Sequence, residues 1–314
     1  MMIPPPVRPA TAAFRVLAVA LTVLLFAALP EAASARQQSA RQPDDAGLRV
    51  TAMSYNIRFA TANDGDNHWT HRRDIALDVF ERADADIVGM QEMLRSQLEE
   101  ITERFPHYAA IGIGRDDGRT AGEYSAILYR HDRFAVAEAG TFWLSDTPSV
   151  IASVTWGNAV TRTCTWARLV EHASGKAFYV YNTHYDHVSQ PSREKGSVLI
   201  AEHIANRAHN DPVILMGDFN AGETNPAMTY FTDRSQGAPG PGLVDPFRVL
   251  NPDATEVGTF NAFRGRRDGQ KIDSILVEPE TQVLEAAIDD HSEQGRYPSD
   301  HFPVTATVVL RPGE

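Results

Sequence analysis

The chain has 314 residues, with 29 Lys and Arg against 41 Asp and Glu, a formal net charge of −12. That balance excludes nucleic-acid binding through a general basic surface and leaves only local Arg clusters for the purpose. A single cysteine, Cys164, excludes an internal disulfide, so the fold must rest on its hydrophobic core.

Residues 1–15 carry Arg8 and Arg15 and no acid, and residues 16–29 form a fourteen-residue, largely apolar run. Pro30 follows, then the small residues Ala33-Ser34-Ala35. This is the three-part layout of a signal peptide over 1–35, and the run is too short to span a bilayer comfortably. No Cys lies near that junction, which excludes lipid anchoring through a processed N-terminal Cys. The expectation is a periplasmic or secreted protein with no stable membrane anchor after cleavage. Residues 36–47 read as a flexible polar lead-in, and 48–312 as one catalytic domain. Without residues 1–35, 27 basic and 40 acidic residues remain, a net charge of −13.

Residues 48–57 are β-rich and end in Ser54-Tyr55-Asn56-Ile57-Arg58, and 63–69 form a polar loop. The spacing of Ile75, Leu77, Val79 and Phe80 predicts a helix over 71–82. A short strand over 86–90 delivers Gln91 and Glu92, and Ser96 caps a helix whose Leu98, Ile101 and Phe105 face inward. Segments 124–129, 134–136 and 141–144 read as successive antiparallel strands. Segments 164–170 and 177–182 continue them and lead into Thr183-His184-Tyr185-Asp186-His187. Residues 192–209 make the longest helix, with Val198, Leu199, Ile204 and Ala205 at its inner face. Val213-Ile214-Leu215-Met216 suits a strand buried on both faces. Gly217 turns the backbone there, and Asp218 and Asn220 emerge on one side with Phe219 on the other. Segments 257–263, 272–277, 283–287 and 304–310 supply further strands, and 235–242 is a surface loop. Strands that mostly follow one another predict two packed sheets with helices outside. A doubly wound parallel sheet needs more crossover helices than this chain offers.

Polar residues recur where strands end: Asn56, Glu92, Glu123, His184, Asp218 with Asn220, Asp273, and Asp300 with His301. Singly, each has a plain structural role, such as a turn residue or a rim histidine. Together they share strand-end positions that two sheets can converge on one rim, where Asp218 and Asn220 can hold a phosphate and an attacking water. Arg162 can reach a substrate phosphate or lie exposed on its strand. Arg264, Arg266 and Arg267 form a basic loop before Asp273. Asp186 and His187 extend the His184 motif towards a site rim, and Cys164 reads as core.

Six ordered motifs carry a resemblance over residues 48–310: Ser-Tyr-Asn-Ile-Arg, Gln91-Glu92, Asn-Thr-His, Gly-Asp-Phe-Asn, Lys-Ile-Asp273-Ser-Ile and Ser-Asp300-His301-Phe-Pro. In this the chain resembles an exported bacterial-type member of the endonuclease/exonuclease/phosphatase superfamily, which has the deoxyribonuclease-like fold. The resemblance implies an α/β fold, a four-layer α/β/β/α sandwich of two mostly antiparallel sheets covered by helices. It implies that Glu92 is the main ligand of Mg²⁺, with Mn²⁺ as a substitute and Asp300 and Asn56 near the metal. Asp218 and Asn220 would orient the water and a nonbridging oxygen. His301, oriented by Asp273, would bind the phosphate or act as general base. His184 would donate to a phosphoryl oxygen or protonate the leaving group. Glu123, at the position of a steadying acid, would raise the His184 pKa and keep it protonated. Asn56 and Arg162 are the expected substrate contacts.

The implied activity is metal-assisted, in-line attack of water on a phosphoester. The acidic charge favours a small phosphomonoester or phosphodiester over nucleic acid. The alternatives are a secreted nuclease for DNA or RNA and a sphingomyelinase-like phosphodiesterase, with a catalytically silent binding protein last. A monomer is the expected form, although no residue pattern speaks to it. Residues 140–162, with Phe142, Trp143 and Trp156, are the expected specificity loop.

Overall fold

In the computed structural model, which describes residues 47–311, the chain runs β1 (Leu48–Asn56), α1 (Trp69–Ala83), β2 (Ile87–Gln91), α2 (Arg95–Arg104), β3 (Tyr108–Ile111), β4 (Ile127–Arg130) and β5 (Phe134–Trp143). It continues through β6 (Thr163–Glu171), β7 (Ala177–His184), α3 (Gln190–Ala205), β8 (Val213–Asp218), α4 (Pro226–Thr232) and α5 (Pro246–Leu250). The last strands are β9 (Asp273–Val277), β10 (Gln282–Ile288) and β11 (Val304–Leu310). The expected export segment, 1–35, and the lead-in up to residue 46 lie outside the described residues.

Two sheets form, one in the order β10-β11-β1-β2-β4-β3 and the other β5-β6-β7-β8-β9. Each contains one parallel pair, β1 with β2 and β7 with β8; the other pairs are antiparallel. A parallel pair needs a crossover, and α1 and α3 supply the two. The apolar side chains sort into three layers. Val50, Ile87, Ile127, Leu169, Val180, Ile214, Met216 and Ile275 fill the space between the sheets. Met53, Val88 and Leu128 turn to the other side of the first sheet and meet Val79, Phe80 and Ile101 of its helices. Tyr181 and Leu215 meet Ile200, Ile204 and Met228 of α3 and α4 on the outside of the second sheet. The architecture is therefore the expected four-layer α/β/β/α sandwich.

The structure corrects several local readings. Strand β3 is an addition, and the segments 134–136 and 141–144 are one strand with a register shift between Val136 and Glu138. That strand belongs to the second sheet, whereas β4 pairs inside the first. Residues 257–263 are not a strand; only Phe260 bridges to His301. Asn261 Oδ1 instead accepts the Phe263 amide, and Ala262 and Phe263 are left-handed. Helix α2 starts at Arg95, and Gln97 Oε1 accepts the Leu94 amide, so Ser96 does not cap it. The inner face of α3 is Ser192, Gly196, Ser197, Ile200, Ala201 and Ile204, while Ala205 is exposed. Gly217 lies within β8 rather than turning it. A Cβ there would stand 2.2 Å from the Thr183 carbonyl oxygen, so only glycine fits.

Candidate active site

Strand register places the first residues of the site side by side. In the second sheet His184 stands beside Asp218, and Asp218 beside Asp273. In the first sheet Asn56 stands beside Gln91, so that Glu92 leaves the sheet next to it. Both exits are sharp: Arg58 and Glu92 have φ of 59° and 58°. The segment before β11 brings in Asp300 and His301, which the buried Arg72 of α1 ties to the β1 exit. Its guanidinium donates to the carbonyls of Ile57, Arg58, Asn67 and Pro298 at 2.8–2.9 Å. These ends enclose a cleft of about 410 Å³ lined by, among others, Glu92, His184, Asp218, Asn220, Asp300 and His301.

Asp218 is the hub. Asn56 Nδ2 donates to its Oδ2 at 2.9 Å, and His184 Nε2 and His301 Nε2 lie 3.5 and 3.8 Å from the same oxygen. Burial, then the facing Asp273 charge, pushes the Asp218 pKa up to about 7. His301 Nδ1 meets Asp273 Oδ2 at 2.8 Å. Burial alone would lower the His301 pKa, but the carboxylates of Asp273 and Asp218 outweigh it and hold it well above the ordinary histidine value. The result is a carboxylate poised near neutrality beside an imidazolium.

His184 behaves differently from the sequence expectation. Glu123 Oε2 is 3.9 Å from His184 Nδ1, too far for a hydrogen bond. Both Glu123 oxygens are instead taken by Arg115, at 2.6 and 2.8 Å. Burial, with the charges of Arg162 and Arg115, drives the His184 pKa well below the ordinary value. His184 is a neutral imidazole here, not a standing acid. Glu123 itself is raised, chiefly by burial.

Oxygen donors suited to a hard cation sit at the first-sheet side of the cleft. Glu92 Oε2 and Asp300 Oδ2 each lie 3.7 Å from the Arg58 guanidinium, so two carboxylates already converge on positive charge. This pair fits a divalent cation. Asn56 does not fit as a ligand: its Nδ2 donates to Glu92 and Asp218, and its Oδ1 accepts the Arg58 amide. It positions the two carboxylates instead. Asp218, Asp273 and His301 also bring ligand atoms within 4.8 Å of one another. There, however, the His301–Asp273 hydrogen bond occupies one ring nitrogen and one carboxylate oxygen.

Asn56, Glu92, Glu123, Arg162, His184, Asp218, Asn220, Asp273, Asp300 and His301 all fall at this end of the sandwich. Asn220 lines the cleft, with its Nδ2 donating to the Tyr185 carbonyl. Arg162 is buried in the wall, its Nη2 hydrogen-bonded to His187 Nδ1 at 3.1 Å. The basic loop does not take part: Arg266 pairs with Asp268 and Arg267 with Asp290. Sequence reasoning missed roles for Arg58, Arg72 and Arg115. The first ends the Ser-Tyr-Asn-Ile-Arg motif, and the last stands in Gly-Arg-Asp-Asp-Gly just ahead of Glu123. A larger surface hollow of about 550 Å³ between α1 and α2 is lined mostly by charged side chains, among them Arg73, which pairs with Asp74 and Glu100.

Residues 53–301 match the model of the Endonuclease/Exonuclease/phosphatase family. Among solved structures, an endonuclease/exonuclease/phosphatase from Bacteroides vulgatus is 32% identical, with a TM-score of 0.76 over 84% of this chain and 100% of that one. A mannosyl-6-phosphatase from Bacteroides thetaiotaomicron is 34% identical, with a TM-score of 0.74 over 83% of this chain and 99% of that one. A curated relative, an uncharacterized protein of Acanthamoeba polyphaga mimivirus, is 30% identical over 160 residues. That match spans 48% of this chain and 59% of the viral protein. With the motifs, the layers and the strand-end residues all in place, the chain belongs to the endonuclease/exonuclease/phosphatase family.

Proposed function

We propose that the chain is an exported, divalent-metal-dependent phosphohydrolase that acts on small phosphoesters. One observation carries this reading: a buried Asp273–His301 pair and the hub carboxylate Asp218, between two imidazoles, face a single confined cleft. Such a site binds one phosphoryl group. A nucleic-acid enzyme needs cationic side chains spread along a groove, and the basic loop 264–267 stands outside the cleft lining. The likeness to a mannosyl-6-phosphatase, at 34% identity, supports the same substrate class.

In the proposed reaction Asp218 takes a proton from water, whose oxygen bonds to phosphorus as the ester P–O bond breaks. The departing oxygen leaves as an alkoxide and collects a proton from solvent. The imidazolium of His301 donates to a nonbridging oxygen, held in place by Asp273, and neutral His184 orients the water from the other side of Asp218. Asn220 narrows the cleft beside them. Glu92 and Asp300 would hold Mg²⁺, or Mn²⁺ in its place, whose chemistry when bound is to polarise a phosphoryl oxygen and neutralise developing charge.

The test is a substrate panel with purified residues 36–314 and Mg²⁺: mannose 6-phosphate, p-nitrophenyl phosphate, bis-p-nitrophenyl phosphate and plasmid DNA at matched phosphate and low salt. A higher kcat/KM on a small ester, lost in His301→Ala, is the expected result. Rapid plasmid nicking unmatched by any small ester would replace this reading with a secreted nuclease.

A further inference from the structure

Part of the cleft wall is built from polar atoms that the hydrolytic steps leave unused. Arg115 Nε, Arg162 Nε and Nη1, and His184 Nδ1 are all buried without a hydrogen-bond partner. Buried, unpaired donors are costly, and those on a charged group most of all. Arg162 is only 3% exposed, and it and Arg115 line the cleft with Val160 and His187.

The two arginines are held beside each other by consecutive residues at the end of β5. Trp143 Nε1 donates to the Arg115 carbonyl, and the Leu144 amide to the Arg162 carbonyl, each at 2.8 Å. A third tie, Thr161 Oγ1 to Asp116 Oδ1 at 2.7 Å, joins the residues next to them. Carboxylates stand nearby, Glu123 and Asp116 for Arg115 and Asp186 for Arg162, with Asp116 Oδ1 3.9 Å from Arg115 Nε, yet none hydrogen-bonds the unpaired donors. Glu123 takes Arg115 Nη1 and Nη2. Asp186 stands 3.8 Å from Arg162 Nε and accepts the amides of Ala159, Val188 and Ser189. Three guanidinium nitrogens therefore remain to be satisfied on one wall, next to the imidazole that flanks the hub carboxylate.

We propose that Arg115 and Arg162 form a paired-guanidinium subsite for the terminal oxygens of a phosphomonoester dianion, with Arg115 as a specificity-determining residue. The proposal rests on the small-phosphoester reading above and narrows it. A monoester offers three terminal oxygens and up to two charges; a diester offers two oxygens, one charge and a second ester arm. The three open guanidinium donors, one on Arg115 and two on Arg162, match the former in number and charge. Glu123 acts in this arrangement as the counter-ion that holds Arg115, not as the partner of His184.

The experiment compares phenyl phosphate with methyl phenyl phosphate, and measures orthophosphate binding by calorimetry, in wild type, Arg115→Gln, Arg162→Lys and the double variant Arg115→Gln/Glu123→Gln. The double variant removes both charges of the buried pair and so guards against a folding defect, which thermal melts would reveal. Arg162→Lys keeps the charge and loses the spread of donors. Expected losses are roughly a hundredfold in kcat/KM on the monoester, the scale of losing buried charge-assisted contacts, and about threefold or less on the diester. Orthophosphate affinity should fall at least about tenfold. Equal losses on both esters, or unchanged orthophosphate affinity in folded variants, would overturn the subsite. A wild type that hydrolyses no ester yet binds orthophosphate through these arginines would overturn only the enzymatic reading.

Discussion

Asp273→Asn is the most informative single change, because it keeps the shape of the site and removes one charge. Asp273 and His301 are 1% and 4% exposed, and their 2.8 Å hydrogen bond runs between a carboxylate and an imidazolium. Charge-assisted bonds, worth about 1.5–3 kcal/mol, are about twice as strong as neutral ones, so a carboxamide acceptor forfeits about half, on the order of 0.8–1.5 kcal/mol. That corresponds to a fall in kcat of roughly 4- to 13-fold. The pH profile carries the sharper test. Asp273 raises the His301 pKa, and its charge also raises that of Asp218. Activity requires Asp218 ionised and His301 protonated, so Asp218 sets the acid limb and His301 the basic limb. Removing the Asp273 charge lowers both, and the whole bell moves to lower pH. The stability linkage has a definite sign as well. With its folded pKa raised, His301 contributes stability that is fully present below about pH 6.5 and is lost as pH rises through the folded value. In Asp273→Asn that contribution should be smaller and its loss complete at lower pH. Steady-state kcat between pH 5 and 9 on p-nitrophenyl phosphate reads the activity. A bell that stays in place, or moves to higher pH, would refute the assigned roles of Asp218 and His301.

Excess chelator should abolish hydrolysis, Mg²⁺ or Mn²⁺ should restore it, and Glu92→Ala should lower kcat by about a hundredfold or more in the presence of metal. Glu123→Gln should leave the acid limb where it is, because Arg115 and not His184 holds that carboxylate; a shifted acid limb would contradict this. Arg72→Met strands two buried and two part-buried carbonyl acceptors and should cost about 2–4 kcal/mol, read as a melting temperature lower by roughly 4–12 °C. Mass spectrometry of the exported protein should find Arg36 at its N-terminus, and a mature form retaining residues 16–29 would contradict export with cleavage.

The strands of the central sheets were legible because their patterns are simple. Val213 to Met216 is apolar on both faces, and β8 is buried along its whole length. The site residues were legible because chemistry at the mouth of a sandwich must come from strand ends, which the motifs mark. What escaped has identifiable physical causes. Residues 257–263 look like a strand, but Thr259 Oγ1 accepts the amides of both Ile272 and Asp273 and displaces a ladder there. Helix α3 turns small residues inward, where Ser197 hydrogen-bonds the Tyr185 hydroxyl and accompanies Ser192, Gly196 and Ala201. A reading that follows apolar side chains misses such a face. Buried arginines are equally hidden, since hydropathy places charge outside; Arg72 and Arg162 stay inside because carbonyls, a histidine and a carboxylate meet them. The neutral state of His184 follows from its own burial and then from the charges of Arg162 and Arg115. A local reading that paired it with Glu123 could not foresee them.

The two halves of the chemistry come from different sheets, and the hydrophobic layer between the sheets cannot by itself hold them in register. Apolar packing is non-directional and tolerates small slides, whereas a reacting constellation must hold to within about half an ångström. Glu92 leaves the first sheet; His184, Asp218 and Asp273 belong to the second. Directional contacts join them. Gln91 Nε2 donates to Asn182 Oδ1 at 2.7 Å, and Asn182 Nδ2 donates back to the carbonyls of Met90 and Ala126 at 2.8 Å each. Gly89 makes the approach possible, since a Cβ there would lie 2.5 Å from Met216 Sδ. At the mouth, Asn56 Nδ2 reaches Glu92 and Asp218 together. A single carboxamide thus spans the carboxylate proposed to hold the metal and the one proposed to take the water proton. Buried hydrogen bonds across an apolar interface are strong because little water competes for them. This polar seam, more than the core around it, fixes the separation between the two carboxylates on which the reaction depends.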